Sequence, residues 1–355
     1  MSILERNIST LSKIGADQNG AITRQSGSKE LDQARGLVAQ WMHDAGLQVS
    51  FDHFSNIIGR LSGTDNDLPP IVTGSHIDTV LMGGKYDGVL GVLAGIEAAR
   101  ELRGKLRHPL EVVVFWDEEV SMSGSIGYSQ AKADIAAFIE LHVEQGPVLE
   151  EVGADIGVVT GIVGQRRCHF TIKGQANHAG TTPMGMRDDA LVKAAELISY
   201  VNRVAHTYNG LVATVGKLEV SPNLFSIIPG QVDLTLQVRD LDEGNLDRFV
   251  KDVASRFGFD YELEYSSEPV RCDPQVMDVI SRSARSLGLE RAELPSRASH
   301  DAQNFGKWPM GMIFVPSVGG VSHSKDELTT PQMCYNGSMA LSHVIKTLDG
   351  ELNGT

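Results

Sequence analysis

Two residues suited to binding a divalent ion, His76 and Asp87, sit in Gly74-Ser75-His76-Ile77-Asp78-Thr79-Val80 and Lys85-Tyr86-Asp87-Gly88, just after the apolar run 70–73. Asp117-Glu118-Glu119, Leu141-His142-Val143-Glu144-Gln145 and Gly320-Val321-Ser322-His323 follow, each behind a strand-like run or a glycine turn. The carboxyl end of a strand is where an α/β enzyme exposes side chains. Imidazole and carboxylate are the donors that a hydrolytic zinc or manganese site needs, so the chain reads as a metal-dependent hydrolase.

A histidine by itself is ordinarily a core or surface residue. His43, His53, His108, His169, His206 and His343 have no acidic motif beside them and receive no role. His76 differs, because Asp78 can hold its second ring nitrogen and fix the tautomer. The Gly-Gly-Lys-Tyr-Asp-Gly stretch strengthens that reading, the glycines being expected to bend the chain and bring Asp87 back. Of the adjacent Glu118 and Glu119, one is expected to bind metal and the other to take a proton from water. Spacing alone does not say which.

The elements that must position these residues are legible around them. Residues 28–47 carry apolar side chains on one helical face and stop at Gly46. Strand-like runs at 47–51, 56–61, 70–73, 111–116 and 137–142, with a helix from Gly88 to Gly104, predict a mostly parallel α/β sheet with helices on both faces. After Gly164 the order changes to a strand at 167–173, a helix at 187–204, strands at 211–220 and 231–239, a helix at 243–257 and a strand at 261–267. This β-α-β-β-α-β order is the ferredoxin-like signature of a small inserted α+β domain. A helix at 273–287 and a strand at 310–316 return to the first sheet. The domains expected are therefore 1–164 with 273–355, and 165–272, hinged near Gly164 and Pro269.

Composition narrows the classes. A length of 355 residues allows two domains, and 41% hydrophobic with 21% charged residues is ordinary for a globular protein. A formal charge of −14 argues against a general nucleic-acid binder, but not against a small anionic substrate held by a local arginine. No apolar stretch approaches the roughly 20 residues of a membrane span. The start, Met1-Ser2-Ile3-Leu4-Glu5-Arg6, lacks a signal-peptide pattern, and Cys168, Cys272 and Cys334 are too few and too scattered for a disulfide framework. A cytoplasmic location is expected.

Asp117-Glu118-Glu119, Glu140-Leu141-His142-Val143-Glu144-Gln145-Gly146-Pro147 and Gln175-Ala176-Asn177-His178-Ala179-Gly180-Thr181-Thr182-Pro183-Met184 resemble the dinuclear-metal amidohydrolases of the M20 peptidase superfamily. The likeness runs from Asn19-Gly20-Ala21-Ile22-Thr23-Arg24 to Ser322-His323-Ser324, and is strongest to the branch containing allantoate amidohydrolase, N-carbamoyl-L-amino-acid hydrolase and β-ureidopropionase. The resemblance implies two divalent ions, zinc or manganese, with cobalt or nickel also suited to such donors. It implies His76, Asp87 and His142 on one ion and Asp87, Glu119 and His323 on the other, with Glu118 as general base and Asp78 supporting His76. It further implies His178 as a histidine supplied across a homodimer to polarise the substrate carbonyl, with the small domain as lid and dimerisation element. Gln145 and Arg239 match substrate contacts, Arg239 gripping a carboxylate. The implied reaction is hydrolysis of a linear ureido or carbamoyl amide in a small anionic substrate.

Three departures touch specificity. Glu119 and His142 are closer in sequence than is usual for the branch, so residues 122–132 are expected to make a short cut that opens or rebuilds the pocket wall. Ser226 stands where the branch has a substrate-contacting asparagine. Arg297, in Ser296-Arg297-Ala298-Ser299-His300-Asp301-Ala302, puts a cation into an otherwise glycine-rich loop and is a candidate substrate contact.

Overall fold

The computed structural model describes residues 2–352, which fall into two compact units. One comprises the chain up to Gly161 together with the segment from Arg271 onward, and the other is Ile162–Val270. Among the described residues no helix is long and apolar enough to cross a membrane.

The larger unit is built on a sheet whose four central strands, Leu110–Phe115, Ile71–His76, Ala137–Val143 and Met310–Val315, lie parallel in that spatial order. Every residue of these four strands is buried, as expected for strands covered on both faces. Gln48–Phe51 and Ile57–Leu61 add antiparallel strands on one side, and Ile156–Ile162 pairs antiparallel with Met310–Val315 on the other. Helix Val89–Leu102 is buried almost all round, packing on the sheet and on helix Pro331–Glu351. Leu90, Leu93, Val112, Ile139, Leu141 and Val344 belong to the core between them.

The smaller unit orders its strands Tyr261–Ser267, Gly164–Lys173, Gln231–Asp240 and Val212–Ser221, all antiparallel. In chain order this is fourth, first, third, second, the arrangement expected of β-α-β-β-α-β connectivity. Helices Ala190–Ala205 and Glu243–Phe257 cover it, and Phe170, Leu197, Leu234 and Phe249 fill the core. Strict alternation along Gln231–Asp240 shows one face buried and the other partly exposed.

The short connection across residues 122–132 contains a helix, Ser123–Ala131. Gly124, Ser125, Gly127, Tyr128 and Ser129 are buried in it, and Asn304 Nδ2 donates to Ser125 Oγ at 2.9 Å. Its small glycine and serine residues are what let this helix pack closely. The final helix, Pro331–Glu351, was not anticipated, although Thr330 caps it and Leu341, Val344, Ile345 and Leu348 form a buried helical stripe.

Candidate metal centre

Four parallel strands end at the same edge, and each delivers donors there. His76 is the last residue of Ile71–His76 and lies opposite Phe115, so Asp117, Glu118 and Glu119 emerge beside it. His142 lies opposite Phe314 in the next strand pair, and the loop after Val315 carries His323. The fifth donor, Asp87, ends the turn before helix Val89–Leu102.

These side chains converge on Asp87. Its Oδ1 is 3.5 Å from His76 Nε2 and 3.2 Å from His142 Nε2, and its Oδ2 is 3.3 Å from His323 Nε2. Two donor groups result, His76 with Asp87 and His142, and Asp87 with Glu119 and His323. Asp87 is common to both. Glu119 Oε2 lies 3.8 Å from His323 Nε2, whereas Glu118 stays outside both groups, with Oε2 3.7 Å from His76 Nε2. The geometry thus separates the two adjacent glutamates that spacing could not.

Gly88 takes φ +63° to start the helix, and a Cβ there would lie 2.5 Å from His76 Nε2. Of the glycines in this stretch, Gly88 alone takes a positive φ, directly after Asp87. Gly84 supplies space instead, since a Cβ on it would meet Glu327 Oε2 at 2.2 Å.

The support of His76 is corrected in detail. Its Nδ1 faces the Asp78 backbone carbonyl at 3.0 Å, while the Asp78 carboxylate is 3.6 Å away. That carboxylate accepts the Glu119 N–H at 3.2 Å, and Glu119 Oε1 accepts the Val80 N–H at 3.1 Å. Asp78 therefore joins the two donor loops as much as it orients the ring. Beneath them Arg24 is fully buried and donates from Nε to the Ile77 carbonyl at 3.1 Å. Burial brings its pKa down to about 10. His142 Nδ1 faces the Val143 carbonyl at 2.9 Å, which aims Nε2 at Asp87.

The field at this point favours positive charge. Burial works against a proton on His76, yet Glu118, Asp78 and Asp87 hold its pKa well above the usual value. His142 and His323 are also raised, chiefly by Asp87. Burial alone would raise the Asp87 carboxyl, but the three imidazoles outweigh it and hold it well below the usual range. Burial, with Asp301, Glu119 and Asp87 nearby, pushes Glu118 well above it despite His76. Three imidazoles and two carboxylates in a negative field fit divalent cations.

Sequence reasoning missed a second layer. Glu140, two residues before His142 on the same strand face, accepts from Ser75 Oγ and the Ala302 N–H, each at 2.8 Å. His300 packs its ring 4.4 Å from that of His142 and could join it with Glu140 in a third donor group. Asp301 is wholly buried. Alternation around His142 pointed to Glu140, while His300 and Asp301 lie in the 296–302 stretch singled out for Arg297, and only the tertiary fold brings His300 to His142.

Of the proposed substrate contacts, Gln145 lies in the larger unit and donates from Nε2 to Asp87 Oδ2 at 3.0 Å. Arg297 is exposed in the loop after strand Arg291–Ser296. His178, Ser226 and Arg239 belong to the smaller unit. The pairing of Ile227 with His178 brings Ser226 beside His178, and the Ser226 carbonyl accepts the Ala179 N–H at 2.8 Å. His178 Nδ1 accepts N–H groups from Gly180 at 3.0 Å and Thr181 at 3.2 Å, which leaves the ring proton on the exposed Nε2. Arg239 Nη2 donates to Gln237 Oε1 at 3.3 Å.

The pattern of peptidase family M20/M25/M40 matches residues 72–347. An N-carbamoyl-L-amino acid amidohydrolase of Geobacillus stearothermophilus is 36% identical, over 96% of this chain and 97% of its own. An allantoate amidohydrolase of Bacillus subtilis strain 168 is 35% identical, over 96% of each. The crystal structure of a hydantoinase/carbamoylase family amidase from Burkholderia multivorans superposes with TM-score 0.88 at 31% identity, covering 97% of each chain.

Proposed function

Because the chain belongs to peptidase family M20/M25/M40, we propose that it is a metal-dependent amidohydrolase that cleaves the carbon–nitrogen bond of a ureido or carbamoyl group in a small anionic substrate. For such a substrate the products are ammonia, carbon dioxide and the freed amine. The observation that carries this reading is the convergence of His76, His142 and His323 on the single carboxylate of Asp87. His76, Asp87 and His142 would hold one divalent ion and Asp87, Glu119 and His323 a second, zinc or manganese being the first candidates and cobalt or nickel the next. Bound there, the ions would acidify a water and polarise the scissile carbonyl.

The residues around them divide the remaining work. Glu118, outside the donor groups and raised above the usual carboxylate range by burial, would take the proton of the attacking water and return it to the leaving nitrogen. His178, whose neutral ring carries its proton on Nε2, would donate to the developing oxyanion. Arg239 would hold the substrate carboxylate, with Gln145, Ser226 and Arg297 contacting the rest. A buried reduced state of Cys168, Cys272 and Cys334 suits a cytoplasmic enzyme.

Allantoate, N-carbamoyl amino acids and N-acyl amino acids, assayed with several divalent metals, test the reading. Ureido and carbamoyl compounds should release ammonia, and activity on N-acyl amino acids alone would replace the proposed substrate with another amide. Arg239→Ala should cost about 2–5 kcal/mol in kcat/KM on the preferred anion. Arg297→Ala should weaken dianionic substrates more than monoanionic ones, and equal effects would remove Arg297 from the site.

A homodimer through the smaller unit completes the proposal, because the family resemblance implies that His178 serves a partner's site. Val212–Ser221 is an edge strand with Val212 and Leu218 exposed, available for pairing with a second copy. Light scattering should give twice the chain mass of 38.4 kDa. A fully active monomer would exclude the shared histidine.

A further inference from the structure

Glu327 lies outside both donor groups, is 3% exposed, and reaches the two loops that carry Asp87 and His323. Its Oε2 accepts the Tyr86 N–H at 2.8 Å and the Asp87 N–H at 3.3 Å. Its Oε1 accepts from Ser322 Oγ at 3.3 Å, next to His323. His323 itself sits at φ +51°, a backbone state that a non-glycine residue keeps only when its surroundings enforce it. The bare Cα of Gly84 is what lets the carboxylate approach.

We propose that Glu327 is a positioning residue that clamps the Asp87 turn to the His323 loop and so sets the spacing of the Asp87–Glu119–His323 group. This rests on the two-ion reading above. A side chain that met only one loop would stabilise that loop. One carboxylate shared between backbone donors of the first and the hydroxyl of the second fixes their separation as well. The two oxygens serve different loops, so hydrogen-bond geometry rather than net charge is what the site requires.

Cobalt(II) titration of the metal-free protein, followed by visible absorption and calorimetry without substrate, separates this role from simple stability. Glu327→Ala should weaken one of two cobalt equivalents by about 10–100-fold, the usual effect of removing a partner that orients metal ligands. Glu327→Gln should bind both within about threefold of wild type, since its oxygen can accept the backbone N–H groups and its amide can donate to Ser322. Gly84→Ala, which drives a methyl into Oε2, should reproduce Glu327→Ala and serves if that variant fails to fold. Tight binding of both equivalents by Glu327→Ala, by Gly84→Ala, or weak binding by Glu327→Gln, would overturn the clamp. Fewer than two equivalents in the wild type would instead overturn the two-ion reading.

Discussion

Glu118→Gln is expected to lower kcat by about 10²–10⁴-fold, the range for loss of a general base, while metal content stays at the wild-type level. The amide keeps the size and burial of the carboxyl but cannot accept a proton. Glu118 is outside both donor groups, so the change removes no ligand. Glu119→Gln should do something different. Its carboxylate faces His323 and is tied to the Val80 N–H, so the weaker amide donor should deplete one metal and carry activity down with it. Metal analysis beside single-turnover kinetics reads both. Metal loss in the Glu118 variant with retention in the Glu119 variant would exchange the two roles.

Gly88→Ala should be nearly as damaging without removing any donor atom. The new Cβ would lie 2.5 Å from His76 Nε2 and also 2.5 Å from the His76 carbonyl oxygen, so rotating the ring does not relieve the contact. The backbone at φ 63° and ψ −45° adds strain of order 1–3 kcal/mol for a residue with a side chain. Metal affinity through His76 should fall by at least about tenfold, with kcat/KM following it. Gly104→Ala is the control, because it also has positive φ but nothing within 4 Å of the added carbon. It should lower thermal stability modestly and leave metal binding alone. Equal metal loss in both variants would assign the effect to backbone strain.

Much of this site was legible because its donors follow strand ends. An apolar run stops, and the next polar residue capable of ligation stands at the sheet's carboxyl edge. That logic picked out His76, Glu118, Glu119 and His142, and the glycine turns picked out Asp87 and His323. What it could not see was the neighbour that comes from elsewhere. Glu327 lies in a polar loop with no periodic signal, and its importance appears only when the chain brings it against Gly84 and Tyr86. His300 reaches His142 in the same way. The helix at 123–131 was hidden for another reason, because its small residues look like a loop until a close-packed neighbour such as Phe54 beside Gly127 is known.

The insertion of the smaller unit also bears on how far that unit can vary. The larger unit's chain leaves after Gly161 and resumes at Arg271, and the two edges are adjacent, the Cys272 N–H donating to the Thr160 carbonyl at 3.2 Å. Everything between them is, from the larger unit's standpoint, a loop whose ends are already joined. Closure entropy grows only with the logarithm of loop length, so even doubling the insertion would cost the larger unit about 0.6 kcal/mol. The segment carrying His178, Ser226 and Arg239 can therefore lengthen, shorten or change sequence with little effect on the stability of the sheet that gathers the metal donors. The smaller unit can be remodelled in evolution while the sheet that carries the two donor groups keeps its stability.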